Sequence, residues 1–159
     1  MAIRSFRGDK RFLSNFYGHK PHHVQFTVVV NGMEFHTTEH GFMASKTLVL
    51  EIRQEIQAMP SPGQAKVYWH DKGDQVREDW DEIRLTTMLD MLRQKFDHPK
   101  LRAMLLATGD QQLIEGNNWG DTFFGVDEET GEGENWLGKL LMLVRVECAM
   151  EEYLKRVAA

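Results

Sequence analysis

The stretch TTEHGFMASK, residues 37–46, decides how the chain is read. A threonine followed by a glutamate marks a helix start, because a threonine oxygen caps free backbone N–H groups and a carboxylate is favoured at the positive end of the helix dipole. Helical spacing then puts Glu39, Phe42, Met43, Lys46 and Leu50 on one stripe, with Val49 beside it. The stripe is mostly apolar. A carboxylate and an amine buried there need each other, a ligand, or a cavity that water enters.

Outward from this stretch, VQFTVVV and MEFHT flank Asn31-Gly32, so residues 24–37 read as two antiparallel strands joined by a tight turn. On the other side a helix is expected over 39–58, a break at MPSPG, a short polar segment around 63–72, and a helix over 79–97. That helix carries Trp80, Ile83, Met88, Met91, Leu92 and Phe96 at helical spacing. Pro99 starts a further helix and Gly109 stops it. Residues 115–135 hold five glycines, three aromatics and seven acids, and read as a loop region with room for a short hairpin. WLGKLLMLVRVECAMEEYL follows. It is apolar around most of its circumference until about residue 150, which predicts a central buried helix. Arg145 lies on its stripe of Gly138, Leu141, Met142, Cys148 and Ala149, and needs a carboxylate, carbonyl or phosphate partner.

The fold class expected is therefore α+β and mainly α-helical, with a small antiparallel sheet near the N-terminus. A length of 159 residues, 42% hydrophobic and 27% charged, suits one compact domain over 1–159. The single cysteine, Cys148, rules out a disulfide framework and a CxxC metal site, and predicts a reducing, cytoplasmic setting. No apolar run approaches the roughly 20 residues of a membrane span, so no membrane partner is expected. The net charge is −5. Residues 1–23 carry five basic residues (Arg4, Arg7, Lys10, Arg11, Lys20) against Asp9, so they are +4 and the remainder is −9. A broad nucleic-acid surface is disfavoured, while the basic N-terminus is either a phosphate patch or a solvated turn.

Other motifs exclude chemistry. HKPHH at 19–23 lacks cysteine or carboxylate ligands at metal spacing, so no metal is expected. The acidic DEETGEGE at 127–134 lacks the ligand order of a calcium loop. No Walker or Rossmann glycine pattern occurs, and no cofactor is called for.

FLSNFY (12–17), TEHGFMASK (38–46), DW followed by M (79–88), KF and LLATGD (95–110), DTFFG (121–125) and ENWLGKLLMLVR (134–145) together resemble the NADAR, or YbiA-like, domain family. The ordered set is specific although each motif alone is weak. The resemblance implies a mainly helical domain with a small sheet that cleaves N-glycosidic bonds to ribose. In some members this removes ADP-ribose from modified guanine; in others it hydrolyses ribosylamino-pyrimidine phosphates of riboflavin biosynthesis. The pattern E-H-x-F-Q-A-x-K falls on Glu39, His40, Phe42, Ala44 and Lys46, with Met43 replacing the glutamine. Asp-x-x-Trp-Gly falls on Asp121 and Gly125, with Phe124 replacing the tryptophan, which keeps a stacking face and loses the indole donor.

Removing a base from ribose builds positive charge at the anomeric carbon while the leaving nitrogen needs a proton. An amine among apolar neighbours is partly unprotonated and able to attack. The resemblance implies Lys46 as the Schiff-base amine, Glu39 as acid/base and Asp121 as a stabiliser. Trp80 and Phe124 would stack on the base or sugar. Asn15, Asn135, Gly138 and Arg145 would contact phosphate or ribose hydroxyls of a phosphorylated ribosyl or ADP-ribosyl ligand. Other readings stay open: Glu39 and Lys46 as ends of ion pairs, Asp121 as a turn residue, Trp80 as a core anchor, Arg145 as a buried structural pair. A non-catalytic module binding ADP-ribose or an NAD derivative is the alternative function, and an ADP-ribosylated nucleic acid is one candidate substrate. Oligomeric state is not legible.

Overall fold

The computed structural model describes residues 1–159. In chain order the elements are β1 (Ala2–Ile3), β2 (Val28–Val30), β3 (Met33–Phe35), α1 (Thr38–Ala44), α2 (Leu50–Gln57), α3 (Pro62–Val67), α4 (Trp80–Asp97), α5 (Pro99–Leu106), β4 (Gln112–Leu113), β5 (Gly116–Asn117), β6 (Val126–Asp127) and α6 (Trp136–Val157). The class is α+β with helices dominant, as expected. The chain forms two compact units, Asn15–Lys95 and Met1–Ser14 with Phe96–Ala159.

In the Asn15–Lys95 unit, Asn31 (φ 48°) and Gly32 (φ 80°) take the left-handed conformations of a tight hairpin turn. β2 and β3 pair antiparallel, Val28 opposite Phe35 and Val30 opposite Met33. The strands are shorter than the expected 24–37. Val28 and Val30 point inward while Val29 is exposed. The open edge at Val29 is covered by the Gln94 amide, which accepts from Val29 N–H (2.6 Å) and donates to its carbonyl (3.1 Å). Phe35, Ile56, Met88 and Leu92 centre the core of this unit. Lys95 is also fully buried, its amine 5.8 Å from the Tyr17 ring and 5.6 Å from the Phe26 ring.

The continuous helix expected over 39–58 is two helices. α1 ends at Ala44 and α2 begins at Leu50. Competing donors and acceptors end α1. Trp69 Nε1 donates to the Met43 carbonyl (3.1 Å), and Arg77 N–H donates to the Lys46 carbonyl (2.8 Å). Arg53 Nε donates to the Thr47 carbonyl (2.9 Å), while the Thr47 hydroxyl accepts from Val49 N–H (3.1 Å). These bonds satisfy groups that a continuing helix would have used for itself. The polar segment expected around 63–72 holds α3, which Ser61 caps and Pro62 opens.

In the other unit, β1 and β4 pair parallel, Ala2 with Gln112 and Ile3 with Leu113. β5 and β6 also pair parallel, so the region 115–135 holds no hairpin. Two-residue parallel pairs leave no periodic trace in sequence. Pro99 opens α5, and Gly109 (φ 61°) follows its end. α6 is one-sided, contrary to the central buried helix expected. It buries Leu137, Leu140, Leu141, Val144 and Cys148. Leu143, Val146, Met150, Tyr153, Leu154 and Val157 are exposed. An all-round apolar sequence does not reveal which face finds a neighbour.

Candidate active site

Glu39 and Lys46 do not share a helical stripe, because the helix ends between them, yet both lie in the Asn15–Lys95 unit and the Glu39 charge acts on the Lys46 amine. Thr37, not Thr38, is the helix cap. Its hydroxyl accepts from His40 N–H (3.1 Å) and bonds His40 Nδ1 (2.7 Å). His40 Nε2 meets the Met59 carbonyl (3.1 Å), so both ring nitrogens are occupied. Burial lowers its pKa and keeps the ring neutral. His40 thus ties the start of α1 to the Met59 carbonyl. The Glu39 carboxylate is 5% exposed, and its backbone N–H donates to the Asn15 carbonyl (3.1 Å).

Lys46 sits in the turn after α1, half-buried, with its amine 5.7 Å from the Trp80 ring and 6.0 Å from the Trp69 ring. Phe42 packs on Trp80 with ring centres 4.9 Å apart. Burial lowers the pKa of Lys46; the Glu39 charge opposes that shift, and Lys66 and Arg84 add to it. The outcome is an amine with more unprotonated fraction than a solvated lysine, in an aromatic slot, electrostatically coupled to a buried carboxylate.

Asn15, whose carbonyl accepts from Glu39 N–H, lies in the same unit. Its amide nitrogen points at Met88 Sδ (3.5 Å), while its buried Oδ1 has no hydrogen-bond partner. A buried acceptor left unsatisfied costs free energy unless a ligand or water supplies the donor. Trp69 was not singled out in the sequence. It lies in a polar segment with no periodicity, and only its indole bond to Met43 and its stance beside Lys46 reveal it.

The remaining expected residues belong to the other unit. Asp121 Oδ1 accepts from Phe124 N–H (2.9 Å), and Asp121 N–H donates to Asn117 Oδ1 (3.1 Å). The fully buried Asn117, also missed in sequence, organises that loop. Phe124 packs edge-on against Phe123, centres 5.0 Å apart. Asn135, left-handed at φ 54°, donates from Nδ2 to the Leu113 carbonyl (2.9 Å) and accepts at Oδ1 from Glu115 N–H (3.0 Å). A side chain at Gly138 would collide with the Leu113 carbonyl. Arg145 Nη1 donates to Thr108 Oγ1 (2.7 Å) and the Gln111 carbonyl (2.9 Å), which close the end of α5. Its partners are thus a hydroxyl and a carbonyl. In the basic N-terminal stretch, Arg7 pairs with Glu128 at 2.7 Å. No three His, Cys, Asp or Glu side chains are grouped to hold a metal ion, and no helix is long and apolar enough to cross a membrane.

The Asn15–Lys95 unit thus holds a half-buried lysine beside two tryptophan rings, its charge coupled to a buried glutamate. The chain belongs to the NADAR domain family, whose match covers residues 5–149 and so runs through both units. It is 36% identical over 140 residues to the N-glycosidase YbiA of Escherichia coli K12, covering 87% of this chain and 86% of that protein. It is 33% identical over 137 residues to a riboflavin biosynthesis protein of Vibrio vulnificus, covering 86% of this chain but 35% of that one. The solution structure of Escherichia coli YbiA superposes with a TM-score of 0.79 at 34% identity, over 96% of this chain and 86% of that one.

Proposed function

We infer that this protein is an N-glycosidase that cleaves the bond between ribose and a nitrogenous leaving group through a covalent lysine intermediate. The observation that carries the reading is the Lys46 amine, held half-buried between Trp69 and Trp80 and coupled to Glu39. The relatives named N-glycosidase support the reaction class.

In the proposed sequence the Lys46 nitrogen donates its lone pair to the anomeric carbon as the carbon–base bond breaks. Glu39, entering as the acid, gives its proton to the leaving nitrogen. The sugar ring then opens, its oxygen taking the proton released from the Lys46 nitrogen, and an imine forms. Water adds to the imine carbon with Glu39 moving the protons, the carbon–Nζ bond breaks, and free amine and free sugar are restored. The net reaction consumes one water. The Trp80 and Trp69 faces stabilise the developing cation and exclude bulk water. Asn15 Oδ1 accepts from a ribose hydroxyl, which satisfies the orphaned acceptor. Asp121, Phe124 and Asn135 enter this reading through the family pattern, whereas Gly138 and Arg145 enter it as a packing and a helix-closing residue of their own unit.

The ligand proposed is a phosphorylated ribosyl or ADP-ribosyl compound acted on in the cytoplasm. The experiment incubates the protein with an ADP-ribosylated guanine oligonucleotide and, separately, a ribosylamino-pyrimidine phosphate, with Lys46→Ala as control. Borohydride should trap the sugar on Lys46 with whichever substrate turns over. Turnover by Lys46→Ala near the parent level would sink the mechanism; binding of ADP-ribose without any turnover would favour the non-catalytic module.

A further inference from the structure

The Asn15–Lys95 unit contains a second recess that the reaction above does not use. It is a pocket of about 310 Å³, lined by the hairpin tip, Ser45, Arg53 of α2, Arg77, and Thr86, Thr87 and Asp90 of α4. Its volume falls at the lower end of ligand pockets, which run from roughly 300 to 1,000 Å³. Lys46 and Glu39 do not line it.

Two guanidinium groups face this space. Arg53 is 95% buried, at 5% exposure, and all its partners are neutral. Nε donates to the Thr47 carbonyl (2.9 Å). With the Asn31 amide turned so that its oxygen faces Arg53, that oxygen accepts from Nη2 (2.9 Å) and Nη1 (2.5 Å). Three of the five N–H groups are thereby used and two remain. The charge that acts on Arg53 is the like charge of Arg77. Arg77 itself is neutralised by a two-point pair with Asp79. Asp90, exposed and lining the same pocket, accepts from Gln94 (2.9 Å) and forms no salt bridge with Arg53. A buried guanidinium without an anionic partner, lining an open pocket, is expensive unless an anion enters.

We propose that this pocket binds a phosphate-class anion, and that its occupancy steadies the turn carrying Lys46. A phosphate offers the paired acceptors that a guanidinium fork engages, and it supplies the anionic partner that Arg53 lacks. The walls are tied to three successive residues. Ser45 lines the pocket, Arg77 N–H holds the Lys46 carbonyl, and Arg53 Nε holds the Thr47 carbonyl. An anion that fixes both arginines therefore fixes the backbone on either side of the reacting amine. This coupling rests on the proposed role of Lys46; the binding site does not.

The test titrates inorganic phosphate into the full chain by calorimetry, against chloride at matched ionic strength. Parent, Arg77→Gln, Arg53→Lys and Lys46→Ala proteins are compared after circular dichroism confirms folding. Phosphate should bind and raise the melting temperature of the parent and of Lys46→Ala. Each arginine change should weaken binding about tenfold or more, the scale of a lost charge-assisted hydrogen bond; Arg53→Lys keeps the charge but not the fork. Phosphate that raises KM alone is occupying the place of the substrate's own phosphate, whereas phosphate that raises kcat acts as a separate ligand. No phosphate-specific binding, binding that survives both arginine changes, or binding lost in Lys46→Ala would overturn the site.

Discussion

The Lys46 amine stands 5.7 Å from the centre of the Trp80 ring, and Phe42 packs on the same ring at 4.9 Å. Trp80 therefore joins the core to the lysine. It is buried at the start of α4 and it forms a wall of the lysine slot. Trp80→Phe should keep the fold and a stacking face, while Trp80→Ala should lose activity and melt lower, as expected when a buried aromatic is truncated. Melting curves and initial rates on the same samples separate the two effects.

The lowered pKa of Lys46 carries a sign that can be checked. Below its folded value the amine is protonated and cannot attack, so kcat/KM should rise with pH through that value. In stability the unfolded chain holds this proton more tightly. Lys46 therefore makes the fold gain stability as pH rises from the lowered folded value to the ordinary lysine value. Lys46→Met should remove the rise in both, and should melt no lower than the parent at neutral pH. Melting temperature against pH for the two proteins reads the difference directly.

Capping and chemistry can be pulled apart at α1, because the Thr37 hydroxyl is the side chain that caps the His40 N–H. Glu39→Gln should slow turnover by roughly 10²-fold or more, the scale of a lost acid/base group. Thr37→Ala should cost about 1 kcal/mol of stability and leave the chemical step much closer to normal. Equal losses of stability in the two variants, with no rate effect from Glu39→Gln, would return Glu39 to a structural role.

Arg145 closes the end of α5 through Thr108 and Gln111. Its guanidinium is partly buried and its pKa is lowered by that burial, with Asp110 opposing. Arg145→Met leaves two acceptors without their donor and should destabilise by about 1–3 kcal/mol. KM should change little. A large rise in KM at unchanged melting temperature would instead put the guanidinium on the ligand's phosphate.

Gly138 is a packing requirement of α6. A methyl group there meets the Leu113 carbonyl and the Asn135 amide that fastens the helix start to the Leu113–Glu115 segment. Gly138→Ala should destabilise by about 1–3 kcal/mol, the usual range for overpacking, despite the better helix propensity of alanine. Urea denaturation at constant slope checks this.

What the sequence made legible was local. Asn31-Gly32 announced its turn because few other pairs adopt two successive left-handed residues, and Pro99 with Gly109 bracketed α5 for equally local reasons. Lys46 and Glu39 stood out because charge on an apolar stripe is costly. The break after Ala44 was hidden, since the donors that end α1 come from Arg53, Trp69 and Arg77, distant in sequence. Arg53 gave no warning either: on a short amphipathic helix it reads as a surface cation until its neutral partners are seen. The parallel pairs of β1 with β4 and β5 with β6 are too short to impose a pattern.

The pairing of β1 with β4 also sets an order of events during synthesis. Ala2 is made before Gln112 and cannot find it until the segment between them has been made. The segment 15–95 is contiguous and carries its own hairpin, helices and core, so it can collect its contacts while translation continues. The pairing of β1 with β4 is therefore a late contact, formed after the hairpin and helices of 15–95 have had time to gather theirs.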